Sequence, residues 1–235
     1  MPSLPSIQII LVCQGAEYKA VCQGLSCIPD PKPAVVPMPI GTKAVLQYLT
    51  KWQQTESFLD QPQPKVLVMG LCGSFNPLYG IGDIVLYQNC IYKGDELEPE
   101  ILPCDRSLTN ILYTHLPEKI ALVTALTSDS FIYSTTQKRS LGQSYSADVV
   151  DMEGAAILKA LIPAGVAVSM LRVISDDCDH DLPNLAAAVS PEGSLQTMPL
   201  AIAMIRQPIA ATRLIRGSLQ GLKILQKVST TLFST

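Results

Sequence analysis

Buried-strand and helical patterns alternate along the chain. Short apolar runs predict six strands, at 7–12, 65–69, 84–87, 120–125, 149–150 and 166–174. The last run is apolar almost throughout, as expected of a central strand covered on both faces. Helical spacing predicts helices at 41–53, 107–116 and 152–161. Strands that alternate with helices predict an α/β fold, in which helices flank a central mixed or parallel sheet.

Prolines and glycines interrupt these patterns at two places. Prolines are dense between Pro29 and Pro39 and exclude both a helix and a central strand, so we expect an extended loop there. The run from Gly70 to Gly73 is interpreted as a turn, because glycine lets a backbone approach a ligand and leaves N–H groups free to bind anions or water. No Ser/Gly-rich linker divides the 235 residues, so one domain is predicted over 1–235.

The end of the chain differs from the rest in charge. After Glu192 there is no acidic residue, whereas five basic residues follow: Arg206, Arg213, Arg216, Lys223 and Lys227. Leucine and isoleucine recur at helical spacing between 214 and 225, which predicts an amphipathic helix in a divergent basic segment of about 196–235. We expect this helix to close the sheet edge with its basic face in solvent. Contact with a membrane surface is the alternative.

Composition narrows the class of protein. Only 16% of residues are charged and 48% are apolar, which gives an ample core and a sparsely charged surface, as in chains that form oligomers; a dimer is our expectation. A net charge of −3 gives no support for nucleic-acid binding. The odd number of cysteines, seven, forms no CxxC pair and favours reduced thiols in the cytoplasm. We expect neither a secretory signal nor an integral membrane segment.

Carboxylates follow the last two predicted strands. Residues 152–156 read Met-Glu-Gly-Ala-Ala, and residues 172–176 read Arg-Val-Ile-Ser-Asp. Strand ends of this kind open into the ligand crevice of an α/β sheet. Glu153 could accept hydrogen bonds from neighbouring sugar hydroxyls, and Asp176 could donate or accept a proton. Of two carboxylates in different environments, one can bind the substrate while the other transfers a proton.

These motifs resemble the nucleoside phosphorylase/nucleosidase superfamily, particularly its methylthioadenosine/S-adenosylhomocysteine nucleosidase branch. Two further motifs share the resemblance: Gly-Leu-Cys-Gly-Ser at 70–74 followed by Gly-Asp-Ile-Val at 82–85, and Thr-Ser-Asp-Ser-Phe-Ile at 127–132. All four stand in the family's order, while the first 60 residues and those after about Leu182 match less well. The resemblance implies a nucleoside phosphorylase-like domain that cleaves an N-glycosidic bond without a metal or organic cofactor.

The resemblance also implies which residues carry the chemistry. Asp176 would be the general acid that protonates N7 of adenine, with its pKa raised by burial, and Ser175 would orient its carboxylate. Glu17 is the only acid before Asp30 and would activate the attacking water. The alternatives are an Asp176 that caps the next loop and a Glu17 that is an exposed residue of a first helical turn.

Further residues are implied to hold the nucleoside. Glu153 and Met152 would bind the ribose, Phe131 would stack on the base, and the backbone of Ile132 would read the purine edge. Arg172 would lie near the sugar or the nucleophile. Each has a structural alternative: the start of a helix for Glu153, plain core for Phe131, and a salt bridge with an acidic neighbour, at 151 or 153, for Arg172.

The positions of arginine residues help to distinguish water from phosphate as the nucleophile, because guanidinium groups normally bind a phosphate co-substrate. The phosphorylase branch draws such arginines from its N-terminal third, whereas the first arginine here is Arg106. Leu71 stands where the family often has a serine that contacts phosphate or water. Water is therefore the expected nucleophile, with Cys72 and Gly73 also assigned to substrate contact.

The run Asp-Cys-Asp-His-Asp at 177–181 resembles a calcium loop in its spacing. Ala188 stands at the position of the closing glutamate, and the spacing of Cys178 and His180 does not fit common zinc sites. We therefore interpret this run as a polar loop near the substrate mouth and expect no metal.

The expected activity is the hydrolysis of a small-molecule substrate, a 5′-substituted adenosine of the methylthioadenosine/S-adenosylhomocysteine type, with release of adenine. Three alternatives remain open. One is a phosphate-dependent purine nucleoside phosphorylase, and another is a nucleosidase for a different 5′-modified nucleoside, futalosine-like or an adenosyl-lipid. The third is a non-catalytic nucleoside-binding protein.

Overall fold

The computed structural model describes residues 7–55, 58, 64–94, 98–116, 119–185 and 197–234. Within these ranges one mixed sheet has eight strands: β1 (Ile9–Cys13), β2 (Ala34–Met38), β3 (Lys65–Ser74), β4 (Ile84–Tyr92), β5 (Glu100–Pro103), β6 (Ile120–Thr127), β7 (Val149–Asp151) and β8 (Ala167–Asp176). The helices are α1 (Ala16–Leu25), α2 (Thr42–Trp52), α3 (Arg106–His115), α4 (Thr135–Tyr145), α5 (Gly154–Leu161), α6 (Thr197–Arg206) and α7 (Pro208–Phe233). The predicted α/β class with a mixed sheet is confirmed.

The sheet closes partly on itself. Its strand order is β2-β1-β3-β7-β6-β4-β5, and β8 lies parallel to β3 and antiparallel to β4. The pairing therefore joins β3, β7, β6, β4 and β8 into a ring, with β2 and β5 at the outer edges. Side chains that alternate along such strands point in turn to the two faces.

Strand β3 changes neighbour along its length. Residues 66–69 pair with β1, whereas Gly73 and Ser74 pair with β7. Its pairing with β8 also shifts register between Cys72 and Gly73. A crevice lies where the neighbour of β3 changes, and such points in α/β sheets are where ligands bind.

Two apolar layers cover the two faces of the sheet. Ile9 and Leu11 of β1 belong to one layer, which also contains residues of α2 and α5, while Ile10 and Val12 belong to the other, which contains residues of α1 and α7. This alternation explains why the strand is apolar throughout: both of its faces are buried. Because the strands are packed on both faces, the polar residues at their ends are held in defined positions.

Two sequence predictions of a loop and a turn are wrong. The proline-rich stretch is not simply a loop, because Ala34–Met38 forms β2, in which Pro37 pairs with Val12. β2 is an edge strand, where a missing N–H costs no sheet hydrogen bond on the open side. The run Gly70–Gly73 is not a turn but part of β3. Gly70 and Gly73 instead leave room for side chains of neighbouring elements to approach the backbone of β3.

The C-terminal helix takes a different position from the expected one. α7 packs on the face of the sheet rather than closing its edge, because Leu225, Val228 and Leu232 share one core with Leu171 and Val173 of β8. No helix among the described residues is long and apolar enough to cross a membrane.

Candidate functional site

A cavity of about 170 Å³ opens where β3 changes neighbour. The ends of β1, β3, β7 and β8 form its walls together with the start of α1 and the loop that follows β6. Sequence-predicted site residues that line it are Glu17, Cys72, Gly73, Phe131, Ile132, Met152, Glu153, Ser175 and Asp176. Arg172 is not among the lining residues. The topology therefore brings together side chains that are up to 159 positions apart in the chain.

Asp176 ends β8 and is buried, with a relative exposure of 8%. Its Oδ2 accepts a hydrogen bond of 3.0 Å from Ser175 Oγ, and its Oδ1 forms an ion pair with Lys138 Nζ. Burial raises the pKa of the Asp176 carboxyl above its usual value, and the Lys138 ammonium partly opposes this effect. Both carboxyl oxygens are thus held in place.

Gly73 permits this arrangement. A Cβ at this position would lie 2.8 Å from Asp176 Oδ1 and 3.2 Å from Val150 Cγ1, closer than ordinary van der Waals contact. The glycine therefore lets the carboxyl rest directly against the backbone of β3.

Lys138 is the residue that sequence reasoning missed. It is the buried residue of α4, its exposure is 0%, and its Nζ also donates a hydrogen bond of 2.6 Å to the carbonyl of Asp177. Lysine is almost never fully buried unless it is paired, so its position depends on Asp176. The sequence signal that could have indicated Lys138 is its position in the helix that directly follows the Phe-Ile pair at 131–132.

Glu17 enters the cavity from the first turn of α1. Its Oε2 accepts a hydrogen bond of 3.2 Å from the Leu71 N–H. Burial raises its pKa to about 7, although the nearby Arg172 guanidinium opposes the shift. A side chain on Gly70 would collide with both Glu17 and Arg172 and would displace them from this arrangement. A carboxyl group that titrates near neutrality can take up a proton from water.

Glu153 lies at the start of α5. Its Oε1 accepts a hydrogen bond of 3.0 Å from the Gly41 N–H, and Thr42 Oγ1 donates one of 3.1 Å to the Met152 carbonyl. These contacts join the start of α2 to the β7–α5 junction. Burial raises the pKa of Glu153, and Arg172, 3.9 Å from its Oε2, opposes the shift. The carboxyl group borders the cavity beside Met152, where it can accept hydrogen bonds from hydroxyl groups.

Arg172 lies behind the cavity wall, with an exposure of 0%. Its Nη2 forms an ion pair of 3.2 Å with Asp151, which also accepts a hydrogen bond of 2.8 Å from Thr127 Oγ1. These contacts connect β8, β7 and β6 across the strand ring. The guanidinium is therefore occupied by protein carboxylates, as in the salt-bridge alternative considered from the sequence.

The opposite wall contains Ser130, Phe131 and Ile132. Phe131 is half-buried, and Ile132 is buried with 6% exposure. Across the described ranges, the N–H and C=O of Ile132 make no backbone hydrogen bond. A flat heterocycle could stack on this aromatic ring and bind these free backbone groups.

Two thiols also border the cavity. Burial raises the pKa of Cys13 and of Cys72 well above the ordinary thiol value, with nearby carboxylates contributing. Both thiols are therefore neutral at physiological pH and unsuited to nucleophilic attack. The Cys72 carbonyl accepts a hydrogen bond of 3.2 Å from Ser175 Oγ.

The acidic loop after β8 is held by contacts within the protein. His180 Nδ1 lies 3.0 Å from Asp177 Oδ1, and Arg139 pairs with Asp179 at 3.1 Å. Nowhere in the described part of the chain do three His, Cys, Asp or Glu side chains form a group that could hold a metal ion.

A larger cleft of about 690 Å³ adjoins the cavity. The two share Ile40, Ser130, Phe131 and Met152 as lining residues. Lys43 and Lys159 also border the cleft, as does Asp129, whose carboxylate accepts a hydrogen bond of 2.9 Å from Tyr92 Oη. A ligand that filled the small cavity could extend into this cleft.

Comparisons with known proteins give the site its context. The family model described as the phosphorylase superfamily matches residues 55–206. The fold is similar to that of Helicobacter pylori futalosine hydrolase, with a TM-score of 0.71 and 17% identity over 96% of this chain and 97% of that one. It is also similar to 5′-methylthioadenosine/S-adenosyl homocysteine nucleosidases. For that of H. pylori the TM-score is 0.67 and the identity 18%, covering 96% and 97% of the two chains. For that of Campylobacter jejuni the values are 0.61 and 16%, covering 94% and 100%. None of the curated proteins compared with the sequence matches it.

Proposed function

This chain belongs to the phosphorylase superfamily, and from that premise we propose that it hydrolyses the N-glycosidic bond of a 5′-substituted adenosine and releases adenine. The observation that carries the proposal is the convergence of three carboxyl groups, the half-buried Glu17 and the buried Glu153 and Asp176, on one cavity. The opposite wall, with Phe131 and the free backbone of Ile132, suits a purine. The two structural relatives named as methylthioadenosine nucleosidases support the same substrate class.

Asp176 acts as the acid in this proposal. As the C1′–N9 bond breaks, its electron pair moves into the base, and a proton from Asp176 neutralises N7. Burial raises the pKa of the Asp176 carboxyl and so favours its protonated form, while Lys138 stabilises the carboxylate that remains after proton transfer. Ser175 and Lys138 together fix the direction in which the proton is delivered.

Glu17 acts as the base on the other side of the sugar. It removes a proton from the attacking water as the water oxygen forms a bond to C1′, which has lost its bond to N9. A pKa of about 7 is close to the operating pH and suits this transfer. Glu153 accepts hydrogen bonds from the ribose hydroxyls, and Met152 contacts the sugar.

Water is favoured over phosphate by the charges around the cavity. Arg172 is paired with Asp151, and no lysine or arginine is among the residues that line this cavity in the described ranges. The Glu17 carboxylate, which is deprotonated in its role as the base, would repel a phosphate dianion. A phosphorylase requires cationic groups at this place to bind its co-substrate.

Replacement of the acid tests the proposal. Asp176→Asn should lower kcat on methylthioadenosine by at least about 100-fold, because proton donation to the leaving group is lost. Binding, measured by calorimetry, should persist. Asp83→Asn is the matched control, since that carboxylate accepts a hydrogen bond from the Gly80 N–H outside the cavity. Wild-type turnover by Asp176→Asn would refute the assignment, and absence of turnover in the wild type would favour a binding protein.

A second candidate is a nucleosidase for a substrate with a bulky 5′ substituent, of the futalosine-like or adenosyl-lipid kind. The adjoining cleft of about 690 Å³, four times the size of the nucleoside cavity, favours it. A series of 5′-alkylthio adenosines of increasing length tests this idea. Rising kcat/KM with length would support the bulky substrate, whereas a maximum at methylthio would support the first proposal.

We also propose that the protein works as a cytoplasmic homodimer. The sparsely charged composition supports an oligomer, and Leu46, which borders the cleft, is 37% exposed. Light scattering after size-exclusion chromatography should give twice the mass of 25.4 kDa. A mass of one chain would contradict this expectation.

A further inference from the structure

Large apolar side chains stand exposed on α6 and the first half of α7. Ile205 and Ile209 are 79% and 71% exposed, and Met198 is 70% exposed. Ile202, Ile215 and Leu219 are exposed on the same two helices. Elsewhere in the described residues, exposed large apolar side chains occur singly on separate elements, such as Leu46 on α2 and Ile101 on β5. A concentration of this kind marks an interaction surface.

Basic residues share this surface. Arg206, Arg213 and Arg216 are exposed, and none of them forms an ion pair with another residue in the described part of the chain. The described residues 197–234 contain five basic and no acidic side chains, although the whole chain has a net charge of −3. The remainder of the protein therefore has a net negative charge, whereas these helices have a net positive charge.

Helical geometry places the two kinds of residue together on α7. Ile209, Arg213 and Arg216 follow each other at intervals of four and three positions, and Leu219 follows after three more, so they lie along one side of the helix. The residues that α7 buries against the sheet and α1, such as Leu225, lie on the other side. A helix with apolar and basic residues on its free face is typical of segments that lie in a membrane interface.

We propose that α6 and the first half of α7 form a docking surface for a bilayer that contains anionic lipids. The apolar side chains would enter the boundary between headgroups and acyl chains, and the arginines would bind lipid phosphates. Charge complementarity selects this occupant. In a symmetric dimer two copies of this surface would face each other and their like charges would repel, since no acidic residue of 197–234 is present to compensate.

The surface lies beside the candidate site. A cavity of about 220 Å³ lies beside the contact of α7 with the end of β8, and Arg213 and Arg216 line it together with Asp176, Asp177 and His180. Docking would therefore bring the site close to the lipid. The docking surface does not depend on hydrolysis of a nucleoside, and it can be tested on the protein without any substrate.

Vesicle flotation of the full chain tests the proposal. Vesicles of phosphatidylcholine with 30% phosphatidylglycerol should retain the protein at least about tenfold better than pure phosphatidylcholine, because roughly 1 kcal/mol is gained per basic residue near an anionic surface. Raising the salt concentration to 0.5 M should weaken retention through screening. Equal retention by the two vesicles, or none by either, would overturn the proposal.

Matched variants locate the surface. Ile205→Asp should lower retention at least about tenfold, whereas Ile101→Asp, an equal change at a 62% exposed position on β5, should not. Arg206→Glu should lower retention about tenfold, and Lys51→Glu, at an exposed position on α2, should not. Thermal unfolding of each variant checks that the fold is intact. If Ile205→Asp left retention unchanged, or instead dissociated an oligomer that does not bind vesicles, the surface would not be a membrane contact.

Discussion

Gly73→Ala offers a direct test of the place of Asp176 in the mechanism. The added Cβ would lie 2.8 Å from Asp176 Oδ1, whereas ordinary contact begins at 3.4 Å, so the carboxyl must move by about 0.6 Å. Lys138 and Ser175 hold the two carboxyl oxygens and resist this movement. The substitution therefore displaces the acid without changing its chemistry.

The expected loss follows from that displacement. A misplacement of 1 Å costs about 100-fold in rate, so a shift of about 0.6 Å should lower kcat/KM by about 10- to 100-fold. This corresponds to about 1.4 to 2.7 kcal/mol in the activation barrier. The extra methyl group also lies 3.2 Å from Val150 Cγ1, and such overpacking should reduce the free energy of unfolding by about 1–3 kcal/mol.

Steady-state adenine release and urea unfolding measure the two effects separately. Gly80→Ala is the matched control, because a Cβ there has no neighbour within 4 Å. It should leave both kcat/KM and stability close to those of the wild type. If Gly73→Ala kept full activity while remaining folded, Asp176 would not be the proton donor at the position described, and the reasoning would be refuted.

Three further substitutions separate the roles of the charged groups in and behind the cavity. Glu17→Gln should abolish most turnover yet stabilise the protein at pH 8 by up to about 3 kcal/mol, measured by urea unfolding at pH 5 and pH 8. Lys138→Met should move the alkaline limb of the kcat/KM profile to higher pH, because the cation that lowers the pKa of Asp176 is removed. Asp151→Asn should reduce the free energy of unfolding by about 3–5 kcal/mol, because Arg172 loses its buried partner.

The sign of the Glu17 effect follows from its raised pKa. Folding raises it from 4.5 to about 7, so between these values the folded protein binds more protons than the unfolded chain and loses stability as the pH rises. The gain in Glu17→Gln should therefore be nearly full at pH 8, much smaller at pH 5 and absent only well below pH 4.5. An equal gain at both pH values would contradict the shift.

The other two substitutions have their own controls. Lys138→Arg retains a cation and should keep the alkaline limb close to its wild-type position; an unmoved limb in Lys138→Met would show that the pair does not control the acid. Asp179→Asn breaks an exposed pair with Arg139 and should change stability by no more than about 1 kcal/mol. A similarly small change in Asp151→Asn would contradict a buried ion pair that supports the strand ring.

Positions at strand ends were the predictable part of the site. Glu153 and Asp176 follow apolar strands, and the ends of neighbouring strands converge in an α/β sheet, so the sequence pattern indicates that they lie together. The central strands were predictable for a related reason: burial on both faces leaves continuous apolar runs, as in β1 and β8.

Residues placed by tertiary contacts were not predictable from local pattern. α4 has a predominantly polar sequence, and a lysine in such a helix is expected in solvent; only its docking against the end of β8 buries Lys138. Pro37 excludes a central strand but not an edge strand, and position within a sheet is a property of the whole fold. The same holds for α7, whose periodicity predicts a helix but not the face of the sheet that it covers.

The most direct test of the proposed function is the release of adenine from methylthioadenosine in the presence and absence of phosphate. Purified protein is incubated with the nucleoside, and adenine and the sugar product are measured by chromatography. If Glu17 activates water and Asp176 donates the proton, adenine and free methylthioribose should form without phosphate. The rate should not change when phosphate is added. Release only with phosphate, as a sugar phosphate, would contradict the hydrolytic mechanism.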